Sequence, residues 1–159
     1  PGRGGSMNFD DKLDELFIDL PEPSAEIGNT VNFVTSGKLL HVSGVLPYVD
    51  GKLQYSGKVG IEIKPDTAKL AAKTAAIAML GIVQSALGGT INKIKRVVKL
   101  EVHIATGVDC IHHEKIADGA SELFVQIFGP YGKHVRNAYG VTSLPKNSCV
   151  AVSGVFEVK

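Results

Sequence analysis

Along residues 9–18 (FDDKLDELFI) apolar side chains fall at Phe9, Leu13, Leu16 and Phe17, the spacing of one helix face. Asp10 and Asp11 occupy the first turn, where the helix dipole favours acids. Pro21 and Pro23 end this short helix and lead into an extended connector. The period then changes. Residues 31–35 and 38–46 are β-branched or apolar runs separated by Ser36-Gly37, which predicts a hairpin. Ser43-Gly44 interrupts its second strand and marks a bulge or a close approach to the backbone. Residues 47–60 carry the turn dipeptide Asp50-Gly51 and read as an irregular excursion with a short paired segment.

The longest helical pattern covers residues 65–87. Pro65 suits a first helical position, Asp66 favours the dipole, and Gly88-Gly89 supplies the stop. Ala68, Ala71, Ala72, Ala75, Ala76 and Ala78 give this helix a face that a sheet can approach closely. Residues 94–106 alternate as a central strand, with Val98, Leu100, Val102 and Ile104 on one face. After a loop at 108–112, a second amphipathic helix over 113–128 buries Ile116, Ala120, Leu123, Phe124 and Ile127 and ends at Gly129-Pro130.

Within residues 134–158, two alternating runs flank Leu144-Pro145-Lys146-Asn147 and predict a C-terminal hairpin. Arg136, Ala138, Gly140 and Thr142 share one face of its first strand. In the second strand Val150, Val152, Phe156 and Val158 form an apolar face, and Cys149, Ala151 and Ser153 a small one. With the apolar face on the core, Arg136 is expected to look out over small side chains, where its fork of donors suits a planar carboxylate. The element order predicts an α+β fold, a mixed sheet with two helices on one face. The opposite face, with Arg136, Thr142, Ala151 and Ser153 on it, then favours self-association.

Composition adds limits. The 159 residues are 44% apolar and 21% charged, so one domain over 7–159 is expected, after a tag remnant (PGRGGS) at 1–6. Seventeen basic residues are interspersed with sixteen acidic ones, without the broad positive surface of a nucleic-acid binder. No run approaches the roughly 18 apolar residues of a membrane span, and no signal-peptide centre precedes the first helix. A soluble cytoplasmic protein is expected, with Cys110 and Cys149 as free thiols.

His112-His113-Glu114 lacks both the HExxH pattern and a histidine pair at i, i+4, so a helix-entry loop explains it better than a metal site. Residues 129–133 (GPYGK) lack phosphate-loop spacing, and neither a GxSxG elbow nor a dinucleotide fingerprint is present. No cofactor and no metal are therefore expected. His41, His103 and His134 lie in or beside strands and read as packed or surface residues. What remains is a candidate anion clamp, Arg136, at an expected subunit interface.

Several segments, in order and spacing, are similar to the YjgF/Rid family, whose members are often labelled endoribonuclease L-PSP or reactive-intermediate deaminase. They are LLHVSG at 39–44, GKVG at 57–60, RVVK at 96–99, DGASEL at 118–123, Phe128-Gly129, and Arg136 followed eight residues later by Leu144-Pro145. The chain resembles most a branch distinct from the deaminase known for hydrolysing 2-aminoacrylate.

The resemblance implies a chorismate-mutase-like fold assembled as a homotrimer, with ligand pockets between subunits. It implies that Arg136 pairs with the carboxylate of a 2-imino acid, in a pocket lined by the backbone at Ser43 and Gly44; the strand faces expected beside Arg136 add Ala138, Ala151 and Ser153 as ligand-binding candidates. Deaminating members use a glutamate on the last strand to position water and a tyrosine near the first strand to close the pocket. Here Ala151 and Thr30 stand at those places. A positioned acid or base typically contributes about 100- to 10,000-fold to such a step. Two readings follow: an imine or enamine deaminase releasing keto acid and ammonia, or a non-catalytic trimer binding small carboxylates. Ribonuclease activity is the least supported.

Overall fold

Asn8 caps the first helix, α1 (Phe9–Glu15), by accepting a hydrogen bond from the Asp11 amide at 2.8 Å. The computed structural model describes residues 8–159; the expected tag remnant and Met7 lie outside the described residues. Asp10 ties α1 to a distant turn, accepting from the Thr90 hydroxyl and, at 3.0 Å, from the Ile91 amide. Leu13 is buried and Phe9 sets its ring edge-on to Phe128 at 4.8 Å. Phe17, expected in the buried stripe, instead sits past the helix end at φ 57° and is 94% exposed. Its left-handed conformation turns the chain away before the helical period can place it inward.

The first hairpin forms as expected from β1 (Phe33–Ser36) and β2 (Leu39–Val45), with Gly37 at φ 60° in the turn. The excursion contains a two-stranded ribbon, β3 (Tyr48–Val49) and β4 (Lys52–Leu53). Its turn residues Asp50 and Gly51 both take positive φ, as a type I′ turn requires. Then come α2 (Pro65–Ala86), β5 (Ile94–Ala105), α3 (His113–Phe128), β6 (Val135–Val141) and β7 (Val150–Val158).

The main sheet has the order β1-β2-β7-β5-β6, in which only the β5–β6 pair is parallel. The expected C-terminal hairpin is therefore not formed: β5 lies between β6 and β7. Alternation marks a strand but does not name its neighbour. The chain leaves β5, crosses through α3 and returns as β6 parallel to β5, the connection a parallel pair needs. Residues 142–149 then pass to the other side of β5, through a turn in which Lys146 and Asn147 adopt positive φ.

Helices α2 and α3 cover one face. Leu100, Val102 and Ile104 point into the core as expected, but Val97 replaces Val98 there, because register shifts near Arg96 and between Val97 and Lys99 change the phase of β5. The alanine face of α2 is fully buried at Ala68, Ala71, Ala72, Ala75 and Ala76. At Gly119 a Cβ would stand 2.0 Å from the Lys69 carbonyl oxygen, so α3 touches the α2 backbone and only glycine fits. Among the described residues the opposite sheet face carries no helix, and Val34, Tyr139 and Val135 are more than half exposed on it. Among the described residues no helix is long and apolar enough to cross a membrane.

Candidate functional site

Arg136 pairs in register with Leu100, so its side chain shares the core face of the sheet. This corrects the expected placement on the uncovered face with Ala151 and Ser153. Those two residues are in register with His103 and Glu101 and point the other way. The cause lies in the neighbour relation: with β5 between them, the faces of β6 and β7 are set by β5. Arg136 is tolerated beneath α3 because β6 is the edge strand and α3 presents polar groups to it. Asp118 and Ser121 stand three residues apart, hence on one helix face. The Arg136 Nη1 donates to Asp118 Oδ1 at 2.7 Å and to Ser121 Oγ at 3.2 Å. Its side chain is 19% exposed and that of Asp118 44%.

The network continues to His134. Its Nδ1 lies 2.6 Å from the Gly132 carbonyl oxygen, which can only accept, so this nitrogen carries the proton. Nε2, 2.8 Å from Ser121 Oγ, then accepts from the hydroxyl. Arg136, Ser121 and His134 thus donate in turn along one chain of hydrogen bonds that ends on the Gly132 carbonyl, which fixes the guanidinium plane. Ser121 is occupied by a cation on one side, and among the described residues no carboxylate backs the imidazole, so the pair is suited to holding Arg136 rather than to nucleophilic attack.

Burial, and secondarily the positive Arg136, push the His134 pKa below its ordinary value, against the opposing Gly132 hydrogen bond. The folded protein therefore binds fewer protons at His134 than the unfolded chain does. Its contribution is present above the unfolded pKa near 6.5 and is lost as pH falls through the lowered folded value. His134→Gln is expected to flatten the loss of thermal stability between neutral and mildly acid pH. Melting curves across that range check it; an unchanged slope would show that the acid sensitivity lies elsewhere.

Beside this network a cavity of about 350 Å³ opens at the sheet edge. Arg136, Asn137, Ala138 and Tyr139 of β6 form one wall, and Ile111, His113 and Glu114 at the start of α3 the other. Alternate residues of one strand face opposite ways, so a cavity with four successive residues of β6 wraps around the edge toward the uncovered face. His113 approaches β6 closely. A Cβ at Gly140 would lie 2.7 Å from its Nε2, so glycine there makes room for the imidazole.

Of the residues expected at the site, only Arg136 and Ala138 line this cavity. Ser43 and Gly44 lie in β2, three strand spacings away, roughly 14 Å at the usual separation. There the register against β7 does shift between Val42 and Val45, the bulge that Ser43-Gly44 suggested. Asp118, Ser121, His113 and Glu114 were not singled out as site residues. The i, i+3 spacing of Asp118 and Ser121 opposite an arginine strand was the available signal. Cys149 is buried, which raises its thiol to about pKa 11 and makes it unreactive. Among the described residues no three His, Cys, Asp or Glu side chains group closely enough to hold a metal.

A mixed sheet with its helices on one face, and a parallel edge strand carrying a half-buried arginine, place the protein in the chorismate-mutase-like α+β class. The chain belongs to the YjgF/chorismate mutase-like endoribonuclease family, whose model matches residues 11–158. It is 36% identical over 147 residues to Protein TCP17 of Trypanosoma cruzi, covering 92% of this chain and 91% of that protein. The crystal structure of Atu1372, of unknown function, from Agrobacterium tumefaciens has 36% identity and a TM-score of 0.89, covering 95% of this chain and 92% of that one. The crystal structure of a candidate endoribonuclease from Shewanella oneidensis has 31% identity and a TM-score of 0.92, covering 96% of this chain and 100% of that one. Membership supports a small-molecule-binding role of the Rid type.

Proposed function

We propose that this protein binds small 2-imino or 2-keto carboxylates through Arg136, at a cavity completed between the subunits of a homotrimer. The observation that carries the reading is the state of the guanidinium. Among the described residues only Nη1 is engaged, by Asp118 and Ser121; Nε and Nη2, the side-on pair of donors, have no partner there, and Arg136 lines the cavity. Such a fork matches the two oxygens of a carboxylate. The cavity wraps toward the uncovered sheet face, where a neighbouring subunit would supply its missing wall. In that arrangement Ser43, Gly44, Ala151 and Ser153 contribute only across the interface.

The assembly has its own expected outcome. Sedimentation at micromolar concentration should give a trimer, since the uncovered face exposes Val34, Leu39, Val135 and Tyr139. A monomer would remove the intersubunit cavity.

Whether the site turns ligand over is tested separately. An amino-acid oxidase generates a 2-imino acid, and semicarbazide traps what escapes hydrolysis. A deaminase should deplete the imine faster than buffer does. Ala151 in place of the expected glutamate, pointing away from Arg136, favours the second reading of a binding trimer without turnover. No depletion at high protein concentration selects that reading. Ribonuclease activity has the least support, because His134 is neutral and held at both ring nitrogens.

A further inference from the structure

The cavity beside Arg136 holds a second charge. Glu114, exposed in the first turn of α3, lines it and makes no ion pair among the described residues. The positive charge of Arg136 is meanwhile already matched by Asp118 at 2.7 Å. The site's three charged groups, Arg136, Asp118 and Glu114, sum to about −1 in their ordinary states at neutral pH. A simple keto acid brings one more negative charge into this setting. A zwitterion brings none, and its cationic nitrogen meets a carboxylate that has no other partner.

We propose, resting on the Arg136 site above, that Glu114 is a specificity-determining residue that selects ligands carrying a cationic nitrogen next to the carboxylate. The class comprises 2-iminium acids and small 2-amino acids. The Arg136 fork takes the carboxylate and Glu114 accepts from the nitrogen, so both ends of a short zwitterion are read across one cavity. A monoanion satisfies the fork and leaves Glu114 facing it with like charge. Hydrogen bonds to charged groups are worth roughly 10- to 150-fold in affinity, which sets the scale of the discrimination. The role is one of recognition, and it stands whether or not the site hydrolyses an imine.

Free imines decay in water, so the test uses stable probes. Titration calorimetry at neutral pH compares alanine with pyruvate for the wild type, Glu114→Gln and Arg136→Ala. The wild type should bind alanine about 10-fold or more tighter than pyruvate. Glu114→Gln should bring the ratio near unity by weakening alanine and strengthening pyruvate, while its melting temperature falls by no more than a few degrees, because Glu114 is exposed, makes no ion pair among the described residues and supports α3 only through the helix dipole. An unchanged ratio in Glu114→Gln, or a wild-type preference for pyruvate, overturns the role of Glu114 and leaves the clamp standing. If neither probe binds the wild type, or Arg136→Ala binds both normally, the clamp itself is wrong and this inference falls with it.

Discussion

Arg136→Ala is expected to weaken the binding of pyruvate-like carboxylates by about 10- to 150-fold, the range for a hydrogen bond to a charged group. Arg136→Lys should restore little of this. An ammonium can keep the contact to Asp118, now 2.7 Å from Nη1, but it has no second planar edge to offer a ligand. The fold should survive both changes. Asp118 is 44% exposed, so water can replace its lost partner, and partly exposed ion pairs contribute on the order of 1 kcal/mol or less. Titration calorimetry and melting curves on the same samples separate the two roles. If Arg136→Ala lowers the melting temperature sharply while the assembled fraction binds ligand normally, Arg136 holds α3 to β6 and is not the clamp.

The elements of this fold were legible in the sequence where one period dominates a long segment. The helix over 65–87 agrees with α2 because alanine content, a proline start and a glycine stop point the same way, and the one over 113–128 agrees with α3 because its apolar stripe and the Gly129-Pro130 stop do. What the chain does not write locally is which strand lies beside which. The two runs around Leu144-Pro145 alternate as a hairpin would, yet β5 separates them. Every residue of β6 was consequently assigned to the wrong face relative to β7. Arg136 was legible as a candidate clamp, but its partners Asp118 and Ser121 were not, because they sit on another element and meet it only through the β5-α3-β6 crossover. The phase slip that puts Val97 rather than Val98 inside is a third such case. It arises from irregular pairing with β7, more than fifty residues away in sequence.

The largest expected loss of stability falls on Phe124, which joins the core to the site. It is fully buried, with its ring edge-on to Phe156 at 5.8 Å and to His134 at 5.9 Å, and tilted to Phe128 at 6.3 Å. Truncating a buried phenylalanine to alanine costs about 3–5 kcal/mol, as lost transfer energy plus the cavity left behind. A chain of this length loses roughly 2–4 °C per kcal/mol, so Phe124→Ala should lower the melting temperature by about 6–20 °C. Association adds to apparent stability, so all variants are compared at one protein concentration. Phe124 also supports the ring that accepts the Ser121 hydroxyl hydrogen bond, and Ser121 in turn accepts from Arg136. Phe124→Ala should therefore weaken carboxylate binding as well, at temperatures where the variant is still folded. Phe128→Ala is the control: it removes a buried ring that packs on Phe9 and Phe124 and has no ring contact with His134. It should destabilise comparably and leave ligand affinity nearly unchanged. Equal losses of affinity in the two variants would mean that the site responds to general loosening of α3, and that the His134–Ser121 link does not orient the guanidinium.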